Sequence, residues 1–74
     1  MSEMAVLDAG GDTRLQWSYA DAAQTEAARA RFNELKAKGY TAFKVNKGGD
    51  QGEQLDAFDP MAERVIMVPR VVGG

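Results

Sequence analysis

The residues that could do unusual chemistry are the two glycines at the end of the sequence, Gly73 and Gly74, which follow Pro69-Arg70-Val71-Val72. A terminal carboxylate has no strong leaving group, so it must be activated, commonly as an acyl-adenylate, before a nucleophile can attack it. An activating enzyme would draw the carboxylate into a narrow channel while the folded body stays outside. Glycine suits such a channel because it has no Cβ and accepts backbone angles that are closed to other residues.

The side chains that most often carry catalysis are missing from this chain. It contains no Cys and no His, so it has neither a thiol nucleophile nor the commonest general base. Carboxylates could still bind Ca²⁺ or Mg²⁺, but no Asp-rich loop has the spacing of metal ligands. The composition disfavours an enzyme, gives no reason to expect a cofactor or metal, and favours a binding or carrier protein.

The charges are nearly balanced in number but unevenly distributed. Nine basic and eleven acidic residues give a net charge of −2, so no overall field draws the chain to nucleic acid or anionic lipid. Basic residues dominate from Arg29 to Lys47 and acidic residues from Gly48 to Glu63. No apolar run approaches the roughly 18 residues of a membrane span, and Met1 to Met4 do not resemble a signal peptide. We therefore expect a cytoplasmic protein with no nucleic-acid or membrane partner.

Two further patterns could indicate ligand binding. Leu15, Trp17 and Tyr19 alternate along one predicted strand and could stack on nucleic-acid bases. The net acidity and an aromatic fraction of 8% favour core packing of Trp17 instead. The segment Gly48-Gly49-Asp50-Gln51-Gly52 is rich in glycine like a phosphate-binding loop, but it lacks the Lys-Ser/Thr ending of one. We interpret it as a turn.

The elements that would hold the terminus follow from the periodicity of the apolar residues. One helix is predicted over residues 21–38, where apolar residues recur at spacings of three and four. Its buried stripe is predicted to consist of Thr25, Ala28, Phe32 and Leu35. Asp21 with Gln24 resembles a capping box, and Gly39 supplies a left-handed stop. Strands are predicted at residues 4–7, 14–19, 40–45, 53–58 and 65–68.

These elements predict one α+β domain in which a single long helix packs on a small mixed sheet. The order of hairpin, helix and further strands matches the β-grasp arrangement, whereas a ferredoxin-like fold would need a second helix after Gly39. The apolar run Val65–Val68 predicts a last strand that is either buried on both sides or central in the sheet. The first strand is too weakly patterned to establish whether it is ordered. Residues 1–69 form the body in this interpretation, and residues 70–74 form a flexible tail ending in Gly-Gly.

Several segments along the chain form a distinctive set. They are Trp17, Gly39-Tyr40-Thr41-Ala42-Phe43, Gly52-Glu53-Gln54, Phe58-Asp59-Pro60 and residues 64–74. Together they resemble the ubiquitin-like modifiers, and more closely the small ubiquitin-like proteins of bacterial conjugation operons. The resemblance spans residues 12–74. One departure from ubiquitin is Val71-Val72, where ubiquitin has a more polar approach to the glycines. Two β-branched residues stiffen this segment toward extended geometry.

The resemblance implies a function for the tail. Gly74 would carry the acyl group after adenylation, and Gly73 would line the channel of the activating enzyme. The approach to these glycines, which that enzyme would recognise, is Arg70, Val71 and Val72. The implied chemistry is attachment of the carboxyl group of Gly74 to a target protein through an isopeptide bond.

The resemblance also implies the partners of the body. They are an adenylating (activating) enzyme, a conjugating enzyme, a target protein and, in some systems, a deconjugating protease. An exposed patch of Leu55 and Phe58 with Val71 could be the docking surface, and in ubiquitin-like proteins the sheet face opposite the helix often has that role. Alternatively, Leu55 and Phe58 close the core.

Two other functions remain open at this point. A sulfur carrier, like those of molybdopterin and thiazole synthesis, would share the activation step and end as a thiocarboxylate. A non-covalent interaction module would not use the tail chemically at all. The sequence identifies neither the target nor the residue that would accept the tail.

Overall fold

The computed structural model describes residues 1–8, 11–45 and 52–69. In chain order, the elements are β1 (Ser2–Asp8), β2 (Gly11–Trp17), α1 (Ala22–Ala37), β3 (Thr41–Val45), β4 (Glu53–Leu55) and β5 (Arg64–Val68). The protein is therefore an α+β domain in which one helix packs on a mixed five-stranded sheet, as the sequence predicts.

The strands lie in the order β2-β1-β5-β3-β4 across the sheet, so the last strand of the chain is its central one. β1 and β5 are parallel, and the three other neighbouring pairs are antiparallel. Ala5 pairs with Ile66, which in turn pairs with Phe43, so these three residues form one row across the centre. Of the two arrangements predicted for Val65–Val68, the central one is confirmed.

The first strand, whose order the sequence leaves open, is a fully integrated part of the sheet. All seven residues of β1 pair with β2, from Ser2 opposite Trp17 to Asp8 opposite Gly11. Its other edge pairs with β5, and its side chains Met4 and Val6 are 0% and 3% exposed in the same core cluster as Phe32 of α1. The short apolar pattern of β1 is sufficient because both of its edges are hydrogen-bonded and its apolar face is buried.

Asp21 caps the N-terminus of α1, as the sequence predicts. Its Oδ1 accepts a hydrogen bond from the Gln24 N–H at 3.1 Å and so satisfies one of the free donors of the first turn. The reciprocal half of a capping box is replaced by another bond. Gln24 Oε1 accepts from the Ser18 N–H at 2.9 Å, while the Asp21 N–H donates to the Ser18 carbonyl. The cap therefore also fastens the end of β2 to the helix.

A Schellman motif ends the helix. The Gly39 N–H donates to the carbonyl of Lys36, and the Tyr40 N–H donates to that of Leu35, both at 3.0 Å. Gly39 has a φ of +98°, a conformation that other residues rarely adopt. The left-handed stop predicted at this glycine is confirmed, and β3 begins two residues later.

One face of α1 closes the core against the sheet. The buried helix residues are those of the predicted stripe, Thr25, Ala28, Phe32 and Leu35. The strands contribute Met4, Val6, Trp17, Ala42, Val65 and Met67 to the same cluster. The two largest side chains that are completely buried in this cluster are Trp17 and Phe32. At about 25 cal/mol per Å² of buried apolar surface, such large side chains stabilise a small fold most.

Two predicted strands are longer than those observed. β2 ends at Trp17 instead of Tyr19, because the Ser18 N–H is bonded to a helix side chain and the chain turns there. Tyr19 is consequently 61% exposed. β4 ends at Leu55 instead of Phe58, because the following residues leave the sheet edge and cross back toward β5. We call residues 56–63 the crossing segment.

Candidate functional site

The C-terminal end of β5 is where the predicted reactive tail joins the body. β5 lies between β1 and β3, and Val65 and Met67 on it are fully buried. Val68 pairs with Thr41 of β3, and Pro69 follows it. In sequence, the tail thus follows directly on the central strand of the sheet.

The residues predicted to carry out conjugation and tail recognition lie outside the described residues. They are Arg70, Val71, Val72, Gly73 and Gly74. Their role therefore remains a prediction from the sequence, and only the body that bears them has a described geometry.

The sheet face opposite the helix presents an apolar row. Because side chains alternate along a strand, the burial of Met4, Val65 and Met67 against the helix directs their neighbours to the opposite face. Those neighbours include Ala5 and Ile66, which pair with each other across β1 and β5. Together with Phe43 on β3, they form the row already described, and we call this surface the open face.

An ion pair lies at one side of the open face. Arg14 Nε is 3.5 Å from Glu3 Oε1, and the Arg14 side chain is 63% exposed. Glu3 also pairs with Arg64 in the register of β1 and β5. Ile66 and Phe43 are half-buried, and Ala5 between β2 and β5 is 5% exposed. The open face therefore combines an apolar centre with charged groups at its β1–β2 side.

The two residues predicted as a partner surface face the core side of the molecule. Leu55 ends β4, pairs with Ala42 and packs against the core cluster. The ring of Phe58 lies 5.2 Å from that of Trp17 and 5.6 Å from that of Phe32, measured between centroids. The Arg29 guanidinium lies 6.0 Å from the Phe58 centroid, on the outer side of this cluster. Both residues are half-buried, and their described contacts are those of core closure, the alternative kept open above.

The crossing segment is fastened to β2 and to β3 by one side-chain bond each, and a third bond lies within the segment. The Trp17 Nε1–H donates to the Pro60 carbonyl at 3.1 Å. Lys44 Nζ lies 3.1 Å from Asp59 Oδ2, and the Met61 N–H donates to Asp59 Oδ1 at 3.0 Å. The hydrogen bond from Lys44, followed by that from Met61, holds the pKa of the Asp59 carboxyl below its ordinary value of 3.8. These bonds keep Phe58 seated on the core.

Trp17, the central residue of the alternative in which β2 stacks on nucleic-acid bases, is not accessible for stacking. Trp17 is 0% exposed and belongs to the core cluster, as its core-packing interpretation predicts.

Of the glycine-rich segment at residues 48–52, only Gly52 is described. A Cβ on Gly52 would lie 2.9 Å from the Lys44 carbonyl oxygen and 3.2 Å from Phe43 Cβ. This glycine allows the backbone at position 52 to approach β3 closely, which is a structural role.

Within residues 1–8, 11–45 and 52–69, no group of three or more Asp and Glu side chains converges as metal ligands would. In the same residues, no helix combines the length and apolar character needed to cross a membrane.

The residues that form the open face could not be identified from the sequence. The alternation of Thr41, Phe43 and Val45 was visible, but the continuous apolar run of β5 gives no alternation from which to choose a face. The pairing partners of Ile66 depend on strand order, which only the three-dimensional structure supplies.

Comparison of the chain with protein-family models, curated proteins and solved structures found no match.

Proposed function

We propose that the chain is a ubiquitin-like protein modifier of the β-grasp type. Its body would do no chemistry and would present the carboxylate of Gly74 to other enzymes. The proposal rests on the resemblance of the segments described above and on one structural observation. The strand that leads into the Gly-Gly segment is the central strand of the sheet, and its core residues Val65 and Met67 are fully buried.

The topology supports the β-grasp part of the proposal. An antiparallel hairpin leads into one helix, and the last strand then returns between β1 and β3, parallel to β1. This is the arrangement expected of a β-grasp fold. A tail that follows such a strand can be pulled into an enzyme channel without unfolding the sheet, since β5 is held on both edges.

The proposed reaction has three steps. The Gly74 carboxylate attacks the α-phosphorus of ATP, forms an acyl-adenylate and releases pyrophosphate. A nucleophilic side chain of a conjugating enzyme, such as a thiol, then loses its proton and attacks the acyl carbon, so that a thioester forms and AMP leaves. An amino group of the target finally attacks the same carbon; the isopeptide bond forms as the bond to the side chain breaks, and the proton lost by the amino group passes to the departing side chain. Glycine leaves the attacked carbonyl sterically open at each step.

The open face is the proposed docking surface for these enzymes. Its apolar row of Ala5, Ile66 and Phe43 includes a residue of β5, so a protein bound there sits close to the strand from which the tail departs. Arg14 and Glu3 at its side could fix orientation through their charges. Leu55 and Phe58 pack against the core in their described contacts, and their role as a partner surface stays a prediction from the sequence.

The experiment is to express the tagged chain in its native cells and purify it under denaturing and reducing conditions. Covalent adducts of higher mass are expected for the wild type and for Asn33→Ala, a change on the exposed side of α1. They should be absent when Gly73 and Gly74 are deleted. Digestion with trypsin, which cuts after Arg70, should leave Val-Val-Gly-Gly on the accepting lysine.

Other outcomes would decide for the alternatives. A free chain whose mass shows replacement of one carboxyl oxygen by sulfur would indicate the sulfur carrier. If the deletion variant keeps every partner and every biological effect of the wild type, the chain acts as a non-covalent module and the proposal is wrong.

A further inference from the structure

The hydrogen-bond ladder between β1 and β5 has a defined phase. The Glu3 N–H donates to the Glu63 carbonyl at 3.0 Å, at the start of this parallel pair. Along a strand, every second residue turns its N–H and carbonyl groups toward the same neighbouring strand. Glu3, Ala5 and Leu7 therefore direct theirs toward β5.

The register identifies the donor that each of these carbonyls would use. In a parallel ladder, a carbonyl accepts from the residue that follows its partner on the neighbouring strand. Ala5 pairs with Ile66, so its carbonyl faces the Met67 N–H. Leu7 lies two residues further along, and the donor for its carbonyl would be the N–H of residue 69. That residue is Pro69, which has no N–H to donate.

The observed pairing stops where the missing donor would be needed. The register of β1 and β5 ends with Val6 and Met67, although β1 continues to Asp8 and β5 to Val68. Both strands are thus long enough for one more pair, that of Leu7 with Val68. The bond that would complete this pair is the one from residue 69.

On the other side of β5, the backbone donors at the same level are already used. The register of β3 and β5 ends with Thr41 and Val68. The two residues before Thr41 are Gly39 and Tyr40, whose N–H groups donate to carbonyls of α1, both at 3.0 Å. Extending β3 backward would break the Schellman motif at the end of the helix. Both ladders that hold β5 therefore end at one level, immediately before or at Pro69.

We propose that Pro69 is a positioning residue, which ends the sheet at the base of the tail by withholding the donor that the Leu7 carbonyl would take. The proposal rests on the proposed function, in which an activating enzyme must take hold of residues 70–74. With an N–H at position 69, β1 would hold the chain by one further hydrogen bond. The enzyme would have to break that bond before it could bind the approach to the glycines.

The first test gives position 69 the missing donor and needs no other protein. In isotope-labelled Pro69→Ala, the amide of residue 69 should exchange with heavy water at least about tenfold more slowly than in an unstructured peptide. The reason is that this N–H then donates to the Leu7 carbonyl. A long-range HNCO experiment should accordingly connect it to the carbonyl carbon of Leu7.

The second test measures covalent adducts in a lysate of the native cells supplied with ATP. Pro69→Ala should form about fivefold less adduct than the wild type, the factor that one hydrogen bond of ordinary net strength contributes. The matched control is a chain made by chemical synthesis with N-methylalanine at position 69. It has the methyl side chain of alanine but no N–H, so it should form as much adduct as the wild type.

Two results would overturn the proposal. One is an amide of residue 69 in Pro69→Ala that exchanges as fast as in an unstructured peptide although the variant is folded. The other is a Pro69→Ala variant that makes the new bond and still forms as much adduct as the wild type. A wild type that forms no adduct contradicts the proposed function, and the positioning role of Pro69 is lost with it. The exchange measurement distinguishes the two failures, since it shows without any enzyme whether Pro69 ends the ladder.

Discussion

The indole N–H of Trp17 donates to the carbonyl oxygen of Pro60 at 3.1 Å across 43 positions of sequence. This bond joins the end of β2 to the crossing segment, which has left the sheet edge and returns toward β5. The Trp17 ring also lies 5.2 Å from the ring of Phe58. One side chain thus fixes both the path of the crossing segment and the cover of the core.

Replacing Trp17 by Phe should destabilise the fold by about 2 kcal/mol, because the Pro60 carbonyl loses its donor and a smaller ring leaves space in the core. Urea unfolding followed by far-ultraviolet circular dichroism measures the change. Tyr19→Phe is the control, because Tyr19 is exposed and its variant should stay within about 0.5 kcal/mol of the wild type. Equal stabilities of Trp17→Phe and wild type would show that the bond contributes nothing.

Asp21→Ala should cost about 1 kcal/mol in unfolding free energy, since the Gln24 N–H then has no partner at the start of α1. The same urea titration detects this loss. Asp21→Asn should recover most of it, because its side-chain oxygen can accept the same bond. If Asn is no better than Ala, the carboxylate charge and not the hydrogen bond is what stabilises the helix.

The helix and the succession of strands along the chain could be predicted because their signals are local. Asp21, Gly39 and the stripe through Phe32 mark the helix by residue type and spacing alone. The ends of β2 and β4 could not be predicted, since each is set by a side-chain contact with a different element: one six residues further along the chain, the other far away in sequence. Ser18 bonds to Gln24 on the helix, and Phe58 leaves the edge of the sheet to pack against Trp17.

The candidate site likewise has one part that the sequence predicts and one part that it does not. The Gly73-Gly74 segment is readable directly from the sequence, and its chemistry is independent of the fold. The open face required the strand order, because Ala5, Ile66 and Phe43 come from three strands separated along the chain. An apolar residue on a strand does not by itself reveal whether the helix covers it, so Leu55 and Phe58 were the more visible candidates.

Gly52→Ala should destabilise the protein by about 1–3 kcal/mol, the usual range for forcing an added methyl group into a filled space. The new Cβ would lie 2.9 Å from the Lys44 carbonyl oxygen, which is backbone and cannot turn aside. Thermal unfolding measures the effect. Ala57→Ser, on the exposed start of the crossing segment, is a control of similar size. A variant as stable as the wild type would mean that the segment before β4 shifts freely.

The ion pair between Lys44 and Asp59 should stabilise the fold only above a defined pH. The lowered pKa of Asp59 means that the folded state binds its proton more weakly than the unfolded state, whose ordinary value is 3.8. The contribution is therefore complete above the unfolded pKa and is lost as the pH falls through the folded pKa. Because both side chains are about one-third exposed, solvent screening limits it to less than about 1 kcal/mol.

A double-mutant cycle of Lys44→Met and Asp59→Asn isolates this contribution from the bond that Asp59 also accepts from Met61. We expect a measurable coupling free energy near neutral pH and none once the carboxyl group is protonated in both states. Unfolding in urea near neutral pH and at a pH below the folded pKa of Asp59 provides the comparison. A coupling that is equal at both would show that the pair acts through packing of the Lys44 side chain, and that its charge is irrelevant to holding the crossing segment.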